Sequence, residues 1–152
     1  MKIPLSDRLL ACCNYVKRGD RVADVGCDHG KLSLYLVQRG KEKDVIATDI
    51  NRQALQKAID LFASYDLSHT ADFLLTDGLQ GIKDTSRITH VVIAGLSGHT
   101  MEQVIESAPF VKAQKTRLVL LPAQSGYQIR KYLYENGFEI ANGKLIKTML
   151  LP

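Results

Sequence analysis

Several features that would assign this 152-residue chain to a particular class of protein are missing from its sequence. No apolar run approaches the roughly 20 residues that a membrane-spanning helix requires, and the opening Met-Lys-Ile-Pro does not resemble a signal peptide. The three cysteines, Cys12, Cys13 and Cys27, have no paired spacing. Because a sparse, odd set of cysteines indicates reduced thiols, we expect a cytoplasmic protein with no membrane partner.

Two common kinds of catalytic site are also missing. The four histidines are scattered, with no second histidine at metal-ligand spacing: His29, His69, His90 and His99. We therefore predict no bound metal. No Ser-His-Asp arrangement can be identified either.

The composition is ordinary for one globular domain, with 45% hydrophobic and 24% charged residues. The length allows one substantial core, and no internal repeat or linker interrupts it, so we predict a single domain over residues 1–152. The net charge of +4 suits a nucleic-acid partner and an ordinary surface equally well. The sequence does not indicate the oligomeric state.

The order of the predicted elements favours an α/β fold. An N-terminal helix capped by Ser6 comes first, and short apolar strands then alternate with amphipathic helices. The strands are predicted at residues 21–24, 45–48, 71–75, 89–94, 117–121, 138–140 and 145–150. This alternation predicts a Rossmann-like, doubly wound, mostly parallel sheet of six to seven strands.

The most informative stretch is the glycine turn after the first strand, Asp24-Val-Gly-Cys-Asp-His-Gly30. Ligands of open α/β sheets bind at such strand ends. Gly26 allows the backbone to turn, and we expect Gly30 to let it approach a ligand. Asp24 and Asp28 replace two glycines of the dinucleotide fingerprint. Because carboxylates repel phosphate, we expect a ligand with an ammonium group and hydroxyls, such as S-adenosylmethionine.

Three further strand ends carry groups suited to a nucleoside. Asp49 lies 25 positions after Asp24, where an acidic residue accepts hydrogen bonds from both ribose hydroxyls, or alternatively caps the next helix. Asp77 before Gly78 can bind the adenine amine, or form only an Asp-Gly turn. The loop Ala94-Gly-Leu-Ser-Gly98 either lets a flat base approach its backbone or simply connects strand to helix.

Together these stretches resemble the class I S-adenosylmethionine-dependent methyltransferases, and more closely the bacterial tRNA (adenine-22-N1)-methyltransferase family, often called TrmK. The specific matches are Leu5-Ser-Asp-Arg-Leu9 and Asp28-His-Gly30. Less specific matches are Val22-Ala-Asp-Val-Gly26, Ala47-Thr-Asp-Ile-Asn51, Thr76-Asp-Gly-Leu79, Val92-Ile-Ala-Gly95, Leu120-Leu-Pro122 and Asn136-Gly-Phe-Glu-Ile140. The family usually has Gly-Met-Gly-Gly where this chain has Gly95-Leu-Ser-Gly98, and we expect the chain to lack most of the family's helical C-terminal extension.

The resemblance implies methylation of N1 of an adenine in tRNA by in-line transfer from S-adenosylmethionine. The implied cofactor-binding residues are Arg8, Asp24, Gly26, Cys27, Asp28, His29, Gly30, Asp49, Ile50, Asp77, Gly78, Ala94 and Gly95. Arg8 is a candidate partner of the cofactor carboxylate or an ordinary surface arginine. Asp28 and Asp7 are the candidate catalytic residues, because a nearby carboxylate stabilises the cationic methylated base most in the transition state.

Two other functions stay open on the sequence. One is a methyltransferase acting on a small molecule or a protein, and the other is a non-catalytic nucleoside- or RNA-binding module of the same fold. RNA is favoured if the basic residues surround the cleft: Arg8, Lys17, Arg18, Lys31, Lys41 and Lys43. Salt-dependent tRNA binding followed by a methylation assay would separate these functions.

Overall fold

A computed structural model describes residues 3–40 and 45–141, and a parallel sheet of five strands forms the centre of these residues. The strands are β1 Val22–Val25, β2 Val45–Asp49, β3 Ala71–Leu75, β4 His90–Ala94 and β5 Arg117–Leu121. Their order across the sheet is β3-β2-β1-β4-β5, and every neighbouring pair is parallel. The predicted Rossmann-like, doubly wound fold is confirmed.

Six helices lie in the described residues: α1 Asp7–Cys13, α2 Lys31–Gly40, α3 Arg52–Ser64, α4 Gly98–Glu106, α5 Phe110–Ala113 and α6 Gly126–Glu135. The Ser6 hydroxyl caps α1 as predicted, accepting from the Leu9 amide at 3.3 Å. Asn51 caps α3 by accepting from the Ala54 amide at 3.0 Å. Across the described part of the chain, every helix is too short or too polar to cross a bilayer.

The helices cover both faces of the sheet. α1, α2 and α3 pack on one face around a core that includes Val22, Val45 and Phe62. α4, α5 and α6 pack on the other face around Val91 and Met101. β1, β2 and most of β4 are buried along their length, as expected for parallel strands covered on both sides.

The chain reverses its direction across the sheet between β1 and β4. β2 and β3 follow β1 on one side, and the chain then crosses to place β4 on the other side. The carboxyl ends of β1 and β4 therefore open side by side, at the crevice where sheets of this class bind ligands. We call the edge at which the strands end the carboxyl edge, and the opposite edge the amino edge.

Residues 138–140, predicted as a sixth strand, have no regular structure. A strand needs a neighbour to share its backbone hydrogen bonds, and the predicted strand over 145–150 lies outside the described residues. The Phe138 amide instead donates to the Leu133 carbonyl at 2.9 Å, and its ring packs against the α4–α6 core. The segment therefore closes the end of α6.

Candidate active site

The glycine turn predicted after β1 is present at the carboxyl edge. Gly26, Asp28 and Gly30 have φ angles of 69°, 53° and 79°, in the left-handed region that costs a residue with a side chain about 1 kcal/mol. The Cys27 amide donates to the Thr48 carbonyl at 2.9 Å, which joins the turn to β2. α2 begins directly after the turn, so its unpaired first amides lie beside it.

The two outer glycines of the turn each lie close to a neighbouring residue. A Cβ atom on Gly30 would lie 2.7 Å from the Cβ of Ala58 on α3. The close approach that we expected between Gly30 and a ligand is therefore an approach to α3. A Cβ atom on Gly26 would lie 3.2 Å from a δ-carbon of Leu96, so the turn is in contact with the loop that follows β4.

The Asp49 carboxylate connects β2 to the glycine turn. Its Oδ2 accepts from the Asp28 amide at 2.9 Å, and its Oδ1 accepts from the Asn51 amide at 2.8 Å. Because each carboxylate oxygen has two lone pairs, one acceptor position per oxygen is left. Asn51, and not Asp49, caps α3, so the capping alternative is wrong, while the ribose-binding role stays a prediction.

The Asp24 carboxylate is buried beneath the turn. The residue is 3% exposed, and its Oδ2 accepts from the Ser33 hydroxyl on α2 at 2.6 Å. Burial raises the pKa of Asp24 to about 6, with the Asp49 charge adding to the rise and the Ser33 hydrogen bond opposing it. Because so little of Asp24 is accessible, it acts on the site chiefly by holding the turn against α2.

The middle of the turn presents two polar side chains to solvent. Cys27 is 6% exposed, and burial raises the pKa of its thiol well above the usual range. The side chains of Asp28 and His29 are 76% and 50% exposed, with His29 Nε2 3.6 Å from Asp28 Oδ1. Asp28 and His29 are thus the side chains that the turn offers to a ligand.

Two apolar side chains lie at the surface where β2 and β3 end. Ile50 is 71% exposed and Leu75 is 38% exposed, and Leu75 pairs in register with Asp49. The Thr48 hydroxyl donates to the Gly78 carbonyl at 3.0 Å, which holds the exposed Asp77 and the half-buried Gly78 beside β2. Sequence reasoning missed Leu75, because its place beside Asp49 depends on the register of two strands.

The loop after β4 is held against the loop after β5. Three backbone hydrogen bonds of 2.8–2.9 Å join them: Gly95 to Leu121, Ala123 to Leu96 and Gly98 to Gln124. A Cβ atom on Gly98 would lie 2.0 Å from the Ser125 carbonyl oxygen, whereas one on Gly95 would have no neighbour within 4 Å. Ala94 is half-buried, Gly95 is exposed and Gly98 is buried. The backbone is therefore accessible at Gly95 and not at Gly98, and the approach of a flat base stays a prediction.

α1 directs Asp7 and Arg8 toward the carboxyl edge. Arg39, near the end of α2, donates to the Cys13 carbonyl at 2.8 Å, which places the C-terminal end of α1 at the amino edge. Asp7 and Arg8 are exposed, and neither side chain forms a hydrogen bond or ion pair with another described residue. The structure brings them toward the same edge as the turn without joining them to it.

The four predicted basic residues that the structure describes do not form one patch. Arg8 lies toward the carboxyl edge and Lys31 directly follows the glycine turn, whereas Lys17 and Arg18 follow α1 at the amino edge. Lys41 and Lys43 lie outside the described residues. These residues alone therefore give no argument for RNA binding around the cleft.

A surface hollow of about 330 Å³ lies at the amino edge, and Asp20, His90 and Arg117 are among its lining residues. It contains none of the predicted site residues. Burial lowers the pKa of His90, although the Asp20 carboxylate opposes this effect. Within residues 3–40 and 45–141, no three His, Cys, Asp or Glu side chains are placed to hold a metal ion.

Known proteins resemble the chain over almost its whole length. Residues 5–149 match the family model described as a methyltransferase domain. The chain is 27% identical, over 146 residues, to the tRNA (adenine(22)-N(1))-methyltransferase of Bacillus subtilis (strain 168), covering 96% of this chain and 61% of that protein. The chain thus spans less than two thirds of the length of this relative.

Two solved structures share the fold and contain a cofactor or its product. A Streptococcus pneumoniae protein in complex with S-adenosyl-L-methionine is 27% identical with a TM-score of 0.80, covering 91% of this chain and 65% of that one. TrmK of M. capricolum in complex with S-adenosyl-homocysteine is 26% identical with a TM-score of 0.77, covering 90% of this chain and 60% of that one.

Proposed function

This chain belongs to the methyltransferase domain family, and we propose that it transfers a methyl group from S-adenosylmethionine to N1 of an adenine in tRNA. The observation that carries the proposal is the contact between the glycine turn and the open Gly95 loop at the sheet reversal, with Asp49 bonded to the Asp28 amide. A nucleoside-binding edge thus adjoins an accessible backbone. The tRNA-modifying relative supports RNA as the acceptor.

The side chains at the carboxyl edge fit the parts of S-adenosylmethionine. Asp49 retains acceptor positions for the ribose hydroxyls. Ile50 and Leu75 expose apolar surface beside Asp77, which suits a flat adenine ring with an amine at its edge. The first amides of α2 suit the cofactor carboxylate. The exposed Asp28 carboxylate suits one of two positive charges, that of the cofactor ammonium group or that of the methylated base.

The protein contributes to this reaction mainly by aligning the reactants and stabilising charge, and less by transferring protons. S-adenosylmethionine, when bound, supplies a methyl group activated by a positively charged sulfur. Gly95 lets the acceptor base lie close to the backbone, and Asp28 or Asp7 stabilises the charge that arises on the methylated adenine. Because N1 lies on the pairing edge of adenine, the target base must be unpaired or turned out of its helix.

Incubation with labelled S-adenosylmethionine and bulk tRNA, followed by digestion and nucleoside analysis, tests the proposal. We expect the label in 1-methyladenosine. Label in another nucleoside would contradict the N1 assignment, and label in protein would contradict the RNA substrate. Calorimetric binding of S-adenosylmethionine without any transfer would instead indicate a non-catalytic module.

We place this activity in the cytoplasm. Cys12, Cys13 and Cys27 are all buried and free. Burial raises the pKa of Cys12 to about 11 and that of Cys13 to about 12, so both thiols stay protonated near neutral pH. Free cysteines of this kind agree with a reducing compartment.

A further inference from the structure

Two sides of α6 are occupied by contacts within the protein. Gly126, Ile129 and Leu133 are buried against the core. On an adjacent side, Gln128 Nε2 donates to Glu102 Oε2 on α4 at 3.1 Å, and the Tyr132 hydroxyl donates to the Glu106 carboxylate. These contacts fix the rotation of α6 about its axis and determine which of its residues face outward.

The side of α6 that these contacts leave free carries two aromatic and two cationic side chains, of which Arg130 is half-buried and the other three are exposed. We call it the tyrosine–cation face; its members are Tyr127, Arg130, Lys131 and Tyr134. At 100° per residue, the two tyrosines lie nearly in line along the helix axis and roughly 10 Å apart, with the cations flanking that line. The nearest acidic side chain of the helix, Glu135, lies on the flank toward α4.

Both tyrosine rings are largely exposed to solvent, although the burial of an aromatic ring is favourable. Tyr127 is 64% exposed and Tyr134 is 84% exposed. Within residues 3–40 and 45–141, none of the four side chains forms a hydrogen bond or an ion pair. Single exposed aromatics are common, but two aligned rings between unpaired cations match the surfaces on which single-stranded nucleic acid stacks its bases and binds its phosphates.

The position of α6 connects this face to the candidate active site. The helix begins directly after the loop that follows β5, and that loop is bonded to the Gly95–Gly98 loop through the Ala123 and Gly98 amides. Tyr127 therefore lies at the carboxyl edge, and Tyr134 lies two turns farther toward the amino edge. A strand of RNA whose base reaches Gly95 can continue along α6.

We propose that the tyrosine–cation face binds single-stranded RNA next to the methylated base, with bases stacked on Tyr127 and Tyr134 and phosphates bound by Arg130 and Lys131. This inference rests on the proposed function and adds the surface that recognises the substrate. The positive charge of the face complements the phosphate backbone, and flat rings accept any base. The face therefore supplies affinity without sequence readout.

Filter binding of bulk tRNA to the full chain and its variants tests the inference. Tyr127→Ala and Tyr134→Ala should each weaken binding by roughly five- to 150-fold, the range found when a stacking aromatic is removed. The Phe variants, which keep the ring, should bind nearly as the wild type does. Calorimetric affinity for S-adenosylmethionine and the thermal midpoint should be unchanged, because both side chains are exposed.

The cations have a separate readout in salt dependence. Arg130→Ala and Lys131→Ala should each reduce the slope of log affinity against log salt concentration by about one. Lys57 on α3 is the matched control, since it is exposed and α3 packs on the opposite face of the sheet. Lys57→Ala should leave both the affinity and the slope at their wild-type values.

Failure of this inference can be told from failure of the proposed function. If the wild type methylates tRNA while the Ala variants of both tyrosines bind tRNA normally, the face is not an RNA surface and the proposed function stands. If those variants instead abolish self-association in sedimentation, the face joins two copies of the chain and the inference is wrong. If the wild type neither binds nor methylates tRNA, both proposals fail.

Discussion

The two halves of the sheet hold their strand ends by different means. In the β1–β3 half, buried carboxylates add to the backbone hydrogen bond between Cys27 and Thr48: Asp49 accepts from the Asp28 amide, and Asp24 accepts from the Ser33 hydroxyl. In the β4–β5 half, the two loops are joined by backbone hydrogen bonds, and Gly98 lies directly against the Ser125 carbonyl.

This difference separates the kinds of change to which each half is sensitive. A carboxylate can stabilise the fold and bind a ligand at the same time. The stability and ligand affinity of the first half should therefore depend on charge and pH. Among the residues that the structure describes, the second half has no such carboxylate at its connections, so its stability should respond to added volume and not to pH. The first half should respond to both, because Gly30 lies against Ala58. The following four predictions test this contrast, from the largest expected effect to the smallest.

Gly98→Ala should have the largest effect on stability. The new Cβ would lie 2.0 Å from the Ser125 carbonyl oxygen, which is backbone and cannot rotate away. We expect the free energy of unfolding to fall by about 3 kcal/mol or more, measured by urea denaturation. Gly95→Ala is the matched control, because its Cβ meets nothing within 4 Å and only its φ of 89° opposes the change. A loss at Gly95 as large as that at Gly98 would contradict the steric account.

Asp24→Asn should change the pH dependence of stability. The pKa of Asp24 is about 6 in the folded protein and about 4 in an unfolded chain, so the folded state holds the extra proton between these values. Wild-type stability from this group therefore falls as pH rises from about 4 to about 6 and is level above. The difference in unfolding free energy between the variant and the wild type should therefore shift by about 3 kcal/mol in favour of the variant between pH 4 and pH 7. If this difference in unfolding free energy stays constant from pH 4 to pH 7, the explanation by a buried charge at Asp24 is contradicted.

Asp49→Ala should weaken S-adenosylmethionine binding by about 1–3 kcal/mol, because the ribose hydroxyls lose their acceptor. Calorimetric titration measures the change. The variant also loses two backbone contacts, so a control must separate stability from binding. Asn51→Ala removes the cap of α3 and should lower stability by about 1 kcal/mol while leaving the affinity intact. Unchanged affinity in the Asp49 variant would refute ribose binding.

Asp28→Asn should have the smallest effect and should act on turnover. Asparagine tolerates the left-handed backbone at this position, and the amide bonded to Asp49 is kept. Loss of a charge interaction worth about 1–2 kcal/mol at an exposed site lowers turnover about five- to thirtyfold with little change in cofactor affinity. A fall in affinity instead would assign Asp28 to the ammonium group, and no change in either would leave it a turn residue.

Much of the candidate site could be predicted from the sequence because its residues follow strand ends. Asp49 and Asp77 each follow a recognisable strand after one threonine, and parallel strands bring their carboxyl ends to one edge. Leu75 could not be predicted in the same way, since its exposure beside Asp49 depends on register. The basic residues could not be grouped either, because the direction of α1 divides them between two edges.

The sequence by itself determined the alternation of strands and helices and the left-handed glycine turn, since periodicity and backbone freedom are local properties. Only the tertiary structure decided which of these helices, strands and turns contact one another. It placed Ala58 against Gly30, buried Asp24 under α2 so that its pKa rises, and turned Tyr127 and Tyr134 to the outside of α6. Each of these features depends on tertiary contacts, and no local sequence pattern specifies which residues will be in contact.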